Sequence, residues 1–83
     1  MNLPTPESIK DDIAKNLECQ YLTVEGDGQH FFATIVSNLF ENKNRIQRHQ
    51  IVYNCLGDRM KQEIHALSMK TLTPNEWENK NNG

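Results

Sequence analysis

Few side chains in this chain can do chemistry, and the three histidines and two cysteines are the ones with metal-ligating character. His30 stands in Glu25-Gly26-Asp27-Gly28-Gln29-His30-Phe31-Phe32, at the seam between a glycine turn and an apolar run. His65 stands in Glu63-Ile64-His65-Ala66, at the head of another alternating run. An imidazole at the mouth of a hairpin is either a plain surface residue or a ligand held out for something. Structural zinc takes four protein ligands and catalytic zinc usually three. No Cys-x-x-Cys, no His-Glu-x-x-His and no third clustered ligand accompanies the two histidines. If they bind a metal, another molecule supplies the rest of the ligand set. On spacing alone, two independent strand-edge histidines remain an open alternative. Glu25 and Asp27 flank the turn, yet no paired acid, nucleophile–base set or phosphate loop goes with them, so no enzyme is expected.

The elements that must position these residues can be read from periodicity. Thr5-Pro6-Glu7 is a helix start, with Thr5 as cap, proline at the first helical position and an acid in the first turn. Ile9, Ile13 and Leu17 recur every fourth residue, with Ala14 expected on the same side, which predicts a helix over 6–17. Residues 19–25 alternate as a half-buried strand, with Leu22 and Val24 facing one way and Tyr21, Thr23 and Glu25 the other. Residues 26–29 turn the chain back, and 30–36 form the return strand. A polar loop follows, anchored by Leu39 and Phe40. A second helix is predicted over 45–56 from Ile46, Val52, Tyr53, Cys55 and Leu56. Gly57-Asp58 breaks it, a short third helix over 59–63 turns Met60 inward, and 64–72 form the third strand. Thr73-Pro74-Asn75-Glu76 is a capping box that opens a last short helix carrying Trp77. Trp77 and Leu72 are expected to cover an open end of the core, and residues 79–83 to fray.

The order α-β-β-α-α-β-α makes the first two strands antiparallel and lets the third run parallel to the second, by a right-handed crossover. The predicted class is α/β, a three-stranded mixed sheet with helices on one face. In that arrangement His30 and His65 begin parallel neighbours, about 4.8 Å apart across the sheet and within roughly 5–10 Å side chain to side chain. Cys19 begins the strand whose far end makes the hairpin, about 20 Å away at ~3.3 Å per residue. Glycine on both sides of Asp27 is expected to leave the His30 backbone loosely held.

Length and charge narrow the function. Eighty-three residues suit a single domain with one modest core, spanning about 6–78. A net charge of −2 argues against a general nucleic-acid binder, because neutralising phosphates takes a basic excess. No apolar run is long enough to span a membrane, and the start lacks a charged n-region with an apolar h-region. A cytoplasmic location with both cysteines as reduced thiols is the resulting expectation. Cys55 lies on the same stripe as Val52 and Leu56 and reads as a small buried hydrophobe.

Three runs, "VEGDGQHF", "LFENKNRIQRHQIVYNCL" and "IHALSMKTLTPNEW", together resemble the BolA-like family, most closely its short bacterial branch with a histidine in the hairpin loop. The match covers roughly Ile9 to Trp77. The resemblance implies a KH-like fold without the Gly-x-x-Gly loop by which true KH domains clamp nucleic acid. It implies an adaptor that partners a monothiol glutaredoxin and shares a [2Fe-2S] cluster, in cluster trafficking or sensing. The residue matching His65 is a cluster ligand in that family, and His30 matches the candidate second ligand. The glutaredoxin cysteine and a glutathione thiol complete the set. Two imidazoles and two thiolates resemble the Rieske pattern, which raises the potential above all-thiolate ligation. The alternative is a DNA-binding transcriptional regulator, which the resemblance also implies, with stress response as context. Its basic face would be Lys43, Arg45, Arg48, His49 and Lys61. Arg48 and His49 also read as helix-surface and helix–sheet packing residues. Alone, the chain is expected to be a monomer or weak homodimer.

Overall fold

The computed structural model describes residues 4–27, 29–59, 64 and 66–82. The first helix, α1 (Pro6–Asn16), begins at a capping box in which Thr5 and Ser8 satisfy each other's backbone N–H groups. Leu17 is its C-cap and is buried, so the stripe Ile9, Ile13, Leu17 is inward as expected. Ala14 is exposed. At 100° per residue it sits about 100° from the centre of that stripe, beyond the buried arc.

Strands β1 (Tyr21–Gly26), β2 (His30–Val36) and β3 (Ala66–Leu72) form one sheet in the order β1-β2-β3. β1 and β2 are antiparallel, while β3 runs parallel to β2 in the register His30↔Ala66 through Val36↔Leu72. The parallel connection carries a 3-10 turn (Asn38–Phe40) and α2 (Arg45–Leu56), whose Asn44 cap forms a second capping box with Gln47. The predicted third helix and its Met60 lie largely outside the described residues. Arg59, at its start, reaches back to α1, with Nη1 on the Asp12 carboxylate and Nη2 on Ser8 Oγ.

α1 packs on β1 and α2, and α2 on β3, so the helix pair covers one face of the sheet. Ile9, Ile13, Leu17, Phe31, Ala33, Ile35, Phe40, Val52, Leu56 and Ile64 form the core between them. Removing this apolar surface from water is the main driving force, about 25 cal/mol per Å2. Two expected anchors turn outward. Leu39 is 54% exposed while its neighbour Phe40 is fully buried, and Ile46 is 79% exposed. Ile46 lies about 100° around α2 from the midpoint of Val52 and Leu56, so the core face does not reach it.

The last helix, α3 (Pro74–Asn82), sits differently from the expectation. It does not close the end of the core. It contacts β3, and Trp77 stacks on Tyr21 with ring centroids 4.6 Å apart. Tyr21 pairs with Val36, which pairs with Leu72, and Val36 is fully buried although it lies outside the main core. These residues share the phase opposite to Leu22, Val24 and Ile35, so Trp77 seals a small apolar cluster on the sheet's other face. The helix continues to Asn82: once its capped first turn is nucleated, each further residue adds one bond per residue fixed.

Gly26 closes β1 where the hairpin backbones nearly touch. A Cβ there would meet the His30 carbonyl oxygen at 2.5 Å and Phe31 Cδ1 at 2.6 Å. Gly26→Ala should therefore destabilise by about 1–3 kcal/mol through overpacking, and Ile13→Ala by about 2–5 kcal/mol through loss of core contacts. Ile46→Ala should stay within about 0.5 kcal/mol, as exposed positions do. Urea unfolding of the three variants beside the parent checks the order; a costly Ile46→Ala would contradict this packing.

Candidate functional site

The hairpin mouth is built by one carboxylate. Asp27 Oδ1 accepts from the backbone N–H groups of Gln29 and His30, both at 2.9 Å, and the Asp27 N–H donates to the His30 carbonyl at 3.2 Å. The expectation of a loosely held His30 is thereby corrected: an aspartate that bonds its own backbone two and three residues on fixes the turn. These bonds hold the Asp27 carboxyl below its usual range, the His30 N–H contributing most. The His30 side chain is exposed, and its imidazole takes no hydrogen bond among the described residues.

His30 pairs with Ala66 across β2 and β3. His65, the residue before Ala66 in sequence, lies outside the described residues, as does Lys61. The parallel register nonetheless brings the start of β3 to the His30 end of the sheet, which is the relation the sequence reading required. Among the described residues no three His, Cys, Asp or Glu side chains cluster well enough to hold a metal. A metal held at His30 would need its further ligands from outside the described residues.

Neither cysteine joins it. Gln20, next to Cys19, donates its N–H to Val36 at the far end of β2 from His30. Cys19 and Cys55 are free, half-buried and packed against the core, and burial pushes both thiols up, away from the thiolate form a ligand needs.

The basic residues divide. Arg48 is committed to the fold: Nε donates to the Lys43 carbonyl at 2.8 Å, and Nη1 to the Thr71 carbonyl at 3.0 Å and to Glu76 Oε1 at 2.8 Å. Its guanidinium also lies over the Phe40 ring, 5.9 Å from the centroid. Its side chain is only 14% exposed. Lys43 and Arg45 remain exposed. His49 is half-buried, edge-on to Tyr53, and burial, followed by the charge of Arg45, pushes its pKa down. Both causes favour the uncharged imidazole. The sequence reading missed Phe32, which is 56% exposed on the same strand phase as His30. The signal was present, since Phe31 and Phe32 must face opposite sides of one strand.

An α/β domain with a three-stranded mixed sheet, two helices on one face and a histidine at the hairpin mouth is a recognisable class. The chain belongs to the BolA-like family, whose model matches residues 5–76. It is 37% identical over 70 residues to the acid stress protein IbaG of Escherichia coli K12, covering 83% of each chain. It is 34% identical over 83 residues to the DNA-binding transcriptional regulator BolA of Haemophilus influenzae, covering 88% of this chain and 81% of that one. A solved BolA homologue from Coxiella burnetii is 43% identical with a TM-score of 0.81, covering 92% of this chain and 99% of the other. These relatives are named for regulation, stress or family membership, and none of them for a catalysed reaction. No helix among the described residues is long and apolar enough to cross a membrane.

The Arg48–Glu76 pair gives a pH prediction. Hydrogen bonds from Arg48 and then from the Thr73 N–H hold the Glu76 carboxyl below its usual range. A carboxylate with a depressed folded pKa contributes stability above its unfolded pKa and loses it as pH falls through the folded one. Glu76→Gln should lower stability at pH 7 by about 1 kcal/mol or less, since Glu76 is half exposed. The difference from the parent should shrink between about pH 5 and pH 3. Urea melts at stepped pH test this; a gap that widens on acidification would contradict it.

Proposed function

We propose that this protein is an iron–sulfur adaptor that shares a [2Fe-2S] cluster with a monothiol glutaredoxin. One observation supports this most: the exposed His30 imidazole, with no hydrogen-bond partner among the described residues, stands at the end of the sheet where β3, preceded in sequence by His65, runs parallel to its strand. The donor set fits a shared cargo better than a resident metal, because this chain has too few clustered ligands among its described residues to hold one alone. In this reading His65 and His30 supply two nitrogens, while the glutaredoxin cysteine and a glutathione thiol supply two sulfurs. The cluster brings one-electron chemistry and a potential set by its mixed ligands. Asp27 positions His30 by fixing its backbone, and Phe32 offers an apolar contact beside it. A cytoplasmic location accords with two reduced thiols.

A second reading, a DNA-binding regulator, is favoured by the name of the Haemophilus relative and by exposed Lys43 and Arg45. Arg48 contributes little to it, since its guanidinium already serves Glu76 and two carbonyls. Duplex DNA binding should accordingly be weak, with a shallow dependence on salt. A steep salt slope together with strong preference for one sequence would move the assignment to the regulator.

Anaerobic reconstitution with a monothiol glutaredoxin and glutathione, read by visible absorbance and circular dichroism, tests the adaptor. His65→Ala and His30→Ala should each weaken the heterocomplex cluster at least about tenfold, the scale on which even outer contacts move metal affinity. His30→Cys should retain a cluster at lower potential. Asp27→Ala should weaken it less, by freeing His30 without removing a ligand. Apo melts of each variant separate ligand loss from unfolding. Parent-like clusters in both alanine variants would refute the adaptor reading.

A further inference from the structure

β3 is an edge strand, and its backbone shows which groups point away from the sheet. The Leu72 carbonyl accepts from Ser37 N–H, on the continuation of β2, so Leu72 faces inward. The Thr71 carbonyl accepts instead from Arg48, on the outer side. Alternation then turns the N–H and C=O of Met69 and Leu67 outward with Thr71. None of these outward groups of Met69 and Leu67 has a partner among the described residues.

Beside this edge runs an open groove of about 670 Å3. Arg45 and His49 of α2 line one wall, Phe32 and Lys70 the other, with Met69 at the base. Arg48 and Glu76 also border it and neutralise each other at 2.8 Å. The uncompensated charge is therefore positive, from Arg45 and Lys70. The opposite edge differs: the groove along β1 is lined by Glu7 and Glu25 against the single cation Lys10.

We propose that the β3 edge docks an extended, acidic segment of a partner protein by strand addition. Main-chain bonds to Leu67 and Met69 give the segment its register, and the Arg48 cap on Thr71 ends the ladder. Alternate side chains of an added strand point to opposite walls, so carboxylates on one side meet Arg45 and on the other Lys70, with an apolar residue over Phe32. The acidic lining of β1 repels the same segment, which gives one docking edge rather than two. This surface does not depend on the histidine corner and stands whether or not a cluster is carried there.

The test uses a short end-capped peptide repeating Glu-Glu-Val-Val, which puts carboxylates and apolar groups on both faces of an added strand, titrated into the whole protein and followed by amide NMR. Saturable shifts centred on Leu67, Met69 and Thr71, with slowed exchange at the Met69 N–H, are expected. Arg45→Glu and Lys70→Glu, both at exposed positions, should each weaken binding about two- to fivefold, the scale of one rim ion pair. Full N-methylation of the peptide backbone should abolish it. Equal binding of the methylated peptide would reduce the effect to charge attraction and overturn strand addition. Shifts along β1, or none at millimolar peptide, would also overturn it. So would a single-stranded oligonucleotide that moves the same amides when the peptide does not.

Discussion

The parallel pairing of β3 with β2 is the constraint on which the other features hang. Two strands running the same way cannot be joined by a tight turn, so the chain must leave the sheet and return. α2 fills that return, and its packing on β3, with α1 on β1, commits both helices to one face. β2, central and flanked on both sides, supplies the buried Phe31, Ala33 and Ile35 to that face. The same register sets His30 beside Ala66 at one end and Val36 beside Leu72 at the other. A slip of one residue would turn every core side chain of β3 to the wrong face.

Two arginines tie this frame together, and they do so at the cost of free positive surface. Arg48 joins α2, the loop before it, the end of β3 and the first turn of α3. Arg59 joins the segment after α2 to α1 through Asp12 and Ser8. A planar fork with several donors suits such bridging, which a lysine could not reproduce. Polar burial is otherwise matched: Ser37, fully buried, donates to the Glu18 carbonyl at 2.7 Å and accepts from Leu39 N–H. No buried side-chain polar atom among the described residues is left without a partner. Arg48, which a sequence reader places on a basic face, is thus spent inside the molecule.

What remains outside is sorted by charge and chemistry. The hairpin corner carries an imidazole on a turn fixed by Asp27, the β3 edge carries cations and open backbone, and the β1 edge carries acids. Exposed Phe32 lies between the corner and the β3 groove on the open part of the outer face. Trp77 and Tyr21 close the other end of that face. The covered part of the sheet is therefore structural, and the uncovered part is where partners can be met.

The sequence alone determined much of this. The stripe of Ile9, Ile13 and Leu17, the alternation around the Gly26–Asp27 turn, and the caps at Thr5 and Thr73 are local signals, and local signals survive folding unchanged. They placed α1, β1, β2, α2 and the start of α3, and with the crossover rule they gave the mixed sheet and the end at which His30 lies. What periodicity could not decide was how far each apolar face is covered. Ala14, Leu39 and Ile46 are apolar yet point to water: Ala14 and Ile46 sit about 100° from the buried stripes of their helices, and the 3-10 turn takes Phe40 inward in place of Leu39. The placement of Trp77 on the outer face, the capture of Arg48 by Glu76 from 28 residues away, and the open backbone of β3 are likewise products of long-range contact. Only the tertiary structure brings those groups together, so only it separates a charged residue that holds the fold from one left free to bind.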